Sequence, residues 1–569
     1  MSGNGGSQNL SEARIGVFVC HCGSNIAGYL DCEALTKYAA TLPNVVYAKN
    51  NLYTCSESGI GEIQAAIKEH GLTRVVVSSC SPRTHMPLFK SACAEAGLNQ
   101  YLFEMANIRD QCSWVHMQER EAAQVKAMDL IRMAVAKAAL LEPEEDIESS
   151  LVRKAMVLGG GVAGLAAAWA LADMGVEVLL VERETELGGL LRRLNRIGPS
   201  NEHAAILLAP MVEQVKSNSN IRILLQTELT GVGGVVGNYE VSLKGVSGDE
   251  TKETVGSIVV ATGAVPFKPE GMFGYNGKTV ITQIELEEQL SKGDPLGAKN
   301  VVMIQCVGAR CPERTYCSRI CCLTAVKNAE YIKTRDPDAD VHILYRDIQM
   351  YGAENEKLLW DTRGAGIKYD IYDAAIPPVV KDGVVELFQP LTGMTIEIPC
   401  DLVVLSTPLV APADSAATAN LMRIPVDGNN FFMEAHAKLR PLDFATDGIF
   451  LAGTARYPAT VREAQAQGLG AASRANTILS KDKLVFSALV SYVTDRCDGC
   501  GLCLDVCPYH AITIEQYEQD GRVQKRVKTD SILCKGCGVC GATCPKGGIL
   551  VHGFTPAQIM AQVDALLEV

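Results

Sequence analysis

Residues 153–182 read RKAMVLGGGVAGLAAAWALADMGVEVLLVE, and this stretch decides the fold of the middle of the chain. An apolar strand, AMVLG, runs into Gly159-Gly160-Gly161-Val162-Ala163-Gly164. An alanine-rich helix follows, and a second strand, VEVLLVE, ends on Glu182. The glycines allow a tight turn and close backbone approach to a pyrophosphate, the helix N-terminus meets the phosphate charge, and the Glu182 carboxylate suits a ribose 2′-hydroxyl. Gly159, Gly161, Val162, Ala163, Gly164 and Glu182 are therefore candidate dinucleotide contacts. The membrane-like run Met156–Ala172 lies in the same stretch. The glycine turn inside it, with Asp173 and Glu177 beyond, predicts strand, turn and helix rather than a span.

Further along come Leu187-Gly188-Gly189-Leu190, Ala261-Thr262-Gly263 and the run Asp447 to Gly453, DGIFLAG. Together with the fingerprint these resemble the two-dinucleotide-binding flavoproteins, the family that includes thioredoxin reductase, over about residues 152–480. The resemblance implies FAD, with Gly188, Gly189, Leu190, Ala261, Thr262, Gly263, Gly453 and Thr454 bordering it. Thr454 departs from the family's usual Gly-Asp ending. The resemblance also implies a second dinucleotide-binding-type domain near 280–410. There the strand Asn300–Ile304 leads into QCVGAR instead of a glycine cradle, so a nicotinamide pyrophosphate has no seat. Cysteines crowd the place: Cys306, Cys311, Cys317, Cys321 and Cys322. A 4Fe-4S cluster on Cys306, Cys317, Cys321 and Cys322 is expected, with Cys311 spare; buried or free thiols are the plain alternative.

Near the C-terminus, Cys497, Cys500, Cys503 and Cys507 form C-x2-C-x2-C-x3-C before Pro508, and Cys534, Cys537, Cys540 and Cys544 repeat it before Pro545. In this spacing three cysteines wrap one cluster and the fourth crosses to the other. The expected ligand sets are Cys497, Cys500, Cys503 with Cys544, and Cys534, Cys537, Cys540 with Cys507. A zinc site needs four ligands, not two identical runs of four.

Residues 13–140 alternate short apolar strands, such as IGVFVC and RVVVSSC, with helical stretches, predicting a small α/β domain. Cys20, Cys22, Cys55, Cys80 and Cys112 fall at strand ends and nearby loops. Side chains there converge on the crevice where such folds bind ligands. A fourth cluster is expected on Cys22, Cys55, Cys80 and Cys112, with Cys20 as the substitute, while Cys32 and Cys93 sit in helical stretches and pack.

The 569 residues exceed one hydrophobic core, and 47% hydrophobic with 21% charged residues indicates globular domains. The 21 cysteines lie in local groups that suit metal or redox chemistry better than a disulfide scaffold. A net charge of -13 without a basic block argues against a nucleic-acid partner. The opening MSGNGGSQNLSE lacks a secretory pattern, so a cytoplasmic location is expected.

The phrases VFVCHCGSNIAG, SSCSPRTHMPLF, LFEMANIRDQCSWVH, QCVGAR and YCSRICC, with the flavin fingerprint and the terminal cysteine runs, closely resemble HdrA, the A-type subunit of heterodisulfide reductase, over nearly the whole chain. The resemblance implies an oxidoreductase subunit that splits electron pairs (or merges them) between ferredoxin and a disulfide-reducing or related partner. It implies B- and C-type heterodisulfide reductase subunits, and a hydrogenase, formate dehydrogenase or other donor. It also implies a homodimer and a lysine close to the flavin, here Lys327; a solvated helix lysine is the plain alternative. Some archaeal members carry an inserted ferredoxin module that this chain lacks, so it looks like the shorter form, with four clusters. Rival readings are a non-bifurcating electron-wiring subunit, such as one of a quinone-linked complex, and a self-contained NAD(P)H-dependent disulfide reductase.

The expected architecture is α/β and multidomain: a small α/β cluster domain over 1–145, a thioredoxin-reductase-like core with its FAD part at 152–280 and 411–480 around a second Rossmann-like part at 281–410, an α+β bacterial-type ferredoxin domain at 485–555, and a C-terminal helix at 556–569.

Overall fold

Hydrophobic runs without polar alternation form the first sheet. In this computed structural model, which describes residues 13–246, 248–293, 295–519 and 522–568, the strands IGVFVC and RVVVSS are buried along their whole length. That is what a parallel sheet covered on both faces requires. The opening dozen residues, read above for a secretory pattern, and Val569 of the expected terminal helix lie outside the described residues. The elements are β1 (Ile15–Cys20), α1 (Cys32–Ala39), β2 (Val45–Asn51), α2 (Glu57–Glu69), β3 (Arg74–Ser79), α3 (Pro82–Glu95), β4 (Phe103–Asn107) and α4 (Arg120–Ala139). The strands are parallel in the order β2-β1-β3-β4. The order reverses between β1 and β3, and their carboxyl ends flank the crevice where such sheets take ligands.

Capping sets the cysteines. Ser56 caps α2 by accepting from Gly59 N at 3.3 Å, and Ser81 caps α3 by accepting from Arg83 N at 3.3 Å. Cys55 and Cys80 immediately precede these caps, so each is held between a strand end and a helix start.

Residues 149–484 form a unit of their own. Its first sheet is parallel, built from β5 (Lys154–Leu158), followed by α5 (Val162–Asp173), then β6 (Glu177–Val181), β7 (Ile221–Leu224) and β8 (Ser257–Val260). The second contains β9 (Val280–Thr282), α6 (Gln283–Ser291), β10 (Asn300–Ile304), α7 (Cys321–Arg335), β11 (Asp340–Tyr345), β12 (Lys368–Ile371) and β13 (Leu402–Leu405). The chain then returns to the first sheet with β14 (Ile449–Leu451) and α8 (Val461–Leu479). The strand orders are β7-β6-β5-β8-β14 and β9-β13-β10-β11-β12. The membrane-like run is strand, turn and helix, and among the described residues no helix is long and apolar enough to cross a membrane.

Residues 485–568 fold with 13–148 into the other compact unit. The strands β15 (Ser491–Val493), β16 (Ile512–Gln519), β17 (Arg522–Thr529) and β18 (Ile549–Val551) make two antiparallel pairs, and α9 (Val539–Thr543) lies inside the second cysteine run. The final helix, α10 (Pro556–Leu567), starts with a Thr555 and Gln558 capping box and packs on α4. Gln558 Nε2 donates to Leu140 O at 2.9 Å, Arg132 Nε donates to Ala565 O at 2.5 Å, and the Lys137 ammonium sits 4.2 Å from the centre of the Phe554 ring. Tyr101 joins the same contact by accepting from Ala488 N at 2.8 Å.

Candidate functional site

A cavity of about 1130 Å³ opens at the carboxyl end of β5, above the roughly 300–1,000 Å³ of ordinary small-molecule sites. Gly159, Gly161, Val162, Ala163, Glu182, Gly188, Gly189, Leu190, Ala261, Thr262, Gly263 and Thr454 all line it. Gly164 and Gly453 stand behind the wall. A Cβ on Gly164 would lie 1.8 Å from Gly159 O, so only glycine lets α5 start this close to β5. A Cβ on Gly453 would meet Ala163 Cβ at 2.7 Å. Gly161 caps α5 without a side-chain bond, which leaves first-turn amides free to receive an anion. Glu182 is 7% exposed, and its carboxylate accepts from Gly160 N at 2.6 Å and Glu184 N at 2.9 Å.

The residues fit an extended dinucleotide. Thr262 Oγ1, Arg196 Nε and Ser415 Oγ belong to lining residues, and all three are buried without a hydrogen-bond partner. Such groups cost about 1–3 kcal/mol each unless a ligand or water satisfies them.

Lys327 also lines the cavity, six residues into α7 beyond Cys321. It is 3% exposed and forms an ion pair with Glu287 of α6, which is 0% exposed. Lys327 Nζ donates to Arg196 O at 2.9 Å, and Glu287 accepts from Asn195 N at 2.8 Å. Burial holds Lys327 below the ordinary amine range even though Glu287 pulls it up. The solvated-lysine alternative is thus overturned. Glu287 went unread in the sequence, although it falls on the buried stripe Gln283, Leu286, Glu287, Leu290, where a carboxylate is out of place.

At the same rim, Cys306 follows β10 in a left-handed turn, and Cys321 and Cys322 open α7. Cys306, Cys317, Cys321 and Cys322 lie within one another's electrostatic reach. Burial raises Cys306, Cys321 and Cys322, the last to about 11, while Arg310 and Arg346 oppose it at Cys306. Cys321 lines the large cavity. Cys311 is turned to Glu313 and bridges to Arg314.

In the ferredoxin-type module two separate cavities divide the eight cysteines. One is lined by Cys497, Cys500, Cys503 and Cys544, the other by Cys507, Cys534, Cys537 and Cys540. The sulfurs accept backbone amides: Val527 N to Cys497 at 3.5 Å, Gly548 N to Cys544 at 3.2 Å, Ala511 N to Cys507 at 3.4 Å and Ser491 N to Cys534 at 3.3 Å. Burial pushes the Cys544 thiol up, but the amides of Lys546 to Ile549 outweigh it and leave it below the ordinary range.

The candidate N-terminal cysteines lie at the carboxyl ends of the strands and in the loops beyond them. Cys20 ends β1, and Cys22 follows it in a left-handed conformation. Burial raises Cys55, with the charges of Cys20 and Cys22 adding to it. Burial also raises Cys80, opposed by Arg109 and Ser79. These four share one neighbourhood. Cys112 turns to α4: its thiol donates to Ala123 O at 2.9 Å, and Lys126 opposes the rise that burial gives it. Cys32 and Cys93 are buried in α1 and α3, each pushed up to about 12 by burial.

The Pyridine nucleotide-disulphide oxidoreductase family model matches residues 153–309, and the 4Fe-4S dicluster domain model matches 496–548. The A-type iron-sulfur subunit numbered 2 of the CoB--CoM heterodisulfide reductase of Methanopyrus kandleri is 37% identical over 609 positions, covering 90% of this chain and 92% of the relative. The chain belongs to the HdrA family of heterodisulfide reductase subunits. Another member, the A-type subunit of the H(2):CoB-CoM heterodisulfide,ferredoxin reductase of Methanothermobacter thermautotrophicus, is 36% identical over 607 positions, again covering 90% and 92%. Both alignments are longer than this 569-residue chain, so these HdrA relatives carry insertions that it lacks. The thioredoxin reductase of T. acidophilum aligns over 57% of this chain and 99% of its own, at 16% identity and TM-score 0.41. As an HdrA family member the chain is an oxidoreductase, with a flavoprotein domain of the pyridine nucleotide-disulphide oxidoreductase type and a C-terminal dicluster ferredoxin domain.

Proposed function

We propose that this chain is the FAD and 4Fe-4S subunit that splits electron pairs, or in reverse merges them, in a heterodisulfide-reductase-type complex linking ferredoxin to a disulfide or related acceptor. FAD supplies two-electron chemistry and each cluster one-electron chemistry when bound. The observation that carries the reading is the replacement of a nicotinamide cradle by Cys306, Cys317, Cys321 and Cys322, with Cys321 on the wall of the cavity that holds Lys327.

In this reading the α5 amides and Gly159 receive the FAD pyrophosphate, and Lys327, kept in place by Glu287, presents its ammonium to the isoalloxazine. Four clusters are held by Cys306, Cys317, Cys321 and Cys322; by Cys497, Cys500, Cys503 and Cys544; by Cys534, Cys537, Cys540 and Cys507; and by Cys20, Cys22, Cys55 and Cys80. In the last set Cys20 takes the place first given to Cys112. The six-part division of the chain given above belongs to the same proposal. So do a cytoplasmic location, a homodimer, and partners that include B- and C-type subunits, ferredoxin and a hydrogenase, formate dehydrogenase or other donor.

The test is reconstitution with ferredoxin and a donor. Reduction of ferredoxin only while a high-potential disulfide acceptor is also being reduced supports the proposal. Reduction of ferredoxin at the same rate without that acceptor refutes electron splitting, and bleaching of the flavin by NADH or NADPH alone favours a self-contained disulfide reductase.

A further inference from the structure

The register of the N-terminal sheet gathers polar side chains beside its cysteines. Cys20 pairs with Asn51, and Ser79 pairs with Asn107, while β1 and β3 run in parallel with Val19 opposite Ser78. Directly paired residues of a parallel sheet point to the same face, so Cys20, Asn51 and Ser79 form one row at the carboxyl edge. Thr54 sits next to Cys55, and its amide donates to Cys20 Sγ at 3.4 Å.

Asn51, Thr54 and Ser79 are 9%, 0% and 1% exposed. The amide of Asn51 and the hydroxyls of Thr54 and Ser79 have no partner in hydrogen-bonding geometry, although the Ser79 hydroxyl lies near enough to the Cys80 sulfur to favour its thiolate. Buried groups of this kind demand an explanation, and all three can donate to sulfur. A cation completes the group. Arg109 Nη1 reaches Cys22 Sγ at 3.6 Å, while its Nε pairs with Asp110 at 3.1 Å and its guanidinium lies 4.4 Å from the centre of the Trp114 ring. Arg109 thus faces the cysteines with a charge that Asp110 and Trp114 hold in place.

We propose that Asn51, Thr54, Ser79 and Arg109 form a donor cage that raises the reduction potential of the N-terminal cluster. Reduction adds one electron and one negative charge to a cluster, and hydrogen bonds to its sulfurs and a nearby cation favour the more negative state. In the ferredoxin-type module, by contrast, no buried side-chain nitrogen or oxygen of the described residues lacks a partner, and backbone amides serve the sulfurs. The inference rests on the reading that Cys20, Cys22, Cys55 and Cys80 hold a cluster.

The test is an anaerobic redox titration of the full-length protein followed by electron paramagnetic resonance, with iron analysis. Cys80→Ser should remove one cluster's iron and its signal, which identifies the N-terminal cluster. Unchanged iron and spectrum in that variant would refute the cluster reading itself. With that signal identified, Arg109→Gln should shift its oxidised-to-reduced ratio at the wild-type midpoint about tenfold toward the oxidised form, about 59 mV for one electron. Thr54→Val and Ser79→Ala should shift it the same way, and Arg109→Lys should stay near wild type. Midpoints unchanged in variants that keep their iron would overturn the cage alone. Loss of iron from every variant would overturn it in favour of a purely structural role.

Discussion

Replacing Glu287 by Gln isolates the buried pair that holds Lys327. Both side chains are within 4% of full burial, so truncating one partner leaves the other with no solvent to turn to. Breaking such a pair costs about 3–5 kcal/mol. At about 2 °C per kcal/mol, the lower end for a large unit, Tm near pH 7 should fall by roughly 6–10 °C. The pH dependence fixes the cause. Burial depresses the Lys327 pKa, and Glu287 is what opposes it. Without Glu287 the folded-state pKa falls further, while the unfolded value stays near ~10.4. Between those values the unfolded chain binds the extra proton, so stability rises with pH across that window. The deficit of Glu287→Gln should therefore narrow as the pH is raised toward about 10. Differential scanning calorimetry at several pH values measures both effects, and Glu287→Leu with Lys327→Met should recover much of the loss. An unchanged Tm, or a deficit constant across the alkaline range, would refute this account of the pair.

Gly164→Ala should abolish flavin retention, because its Cβ would collide with Gly159 O at 1.8 Å and push α5 off the cavity; flavin absorbance of the purified protein measures this. Cys507→Ser should disturb the cluster of Cys534, Cys537 and Cys540 and spare the other, which difference spectra against Cys503→Ser will separate; damage confined to the cluster of Cys497, Cys500 and Cys503 would rule out the crossed assignment.

How much of this was legible in the sequence depended on how local the signal was. The fingerprint glycines and the two cysteine runs act over a few residues, and the cavity walls carry most of them where the spacing put them. The shared neighbourhood of Cys20, Cys22, Cys55 and Cys80 needed the sheet order and the direction of each thiol, which strand ends do not reveal. Cys112 looked like a strand-end residue, yet α4 supplies its hydrogen-bond acceptor. Glu287 lies 40 residues from Lys327, and their meeting joins two helices, α6 and α7, that are distant in sequence. Arg109 went unread, because only the fold turns it toward Cys22.

The docking of α10 on α4 has a consequence for biosynthesis. The α4 surface that receives Gln558 and Ala565 leaves the ribosome long before those residues exist. At ~5–20 residues per second, the wait is on the order of 20–90 s. During that interval residues 149–484 can complete their own core, while the N-terminal sheet remains without its last helix. A nascent chain stalled before Pro556 would expose the α4 face that α10 covers, and a chaperone that recognises apolar helix surfaces would find its substrate there.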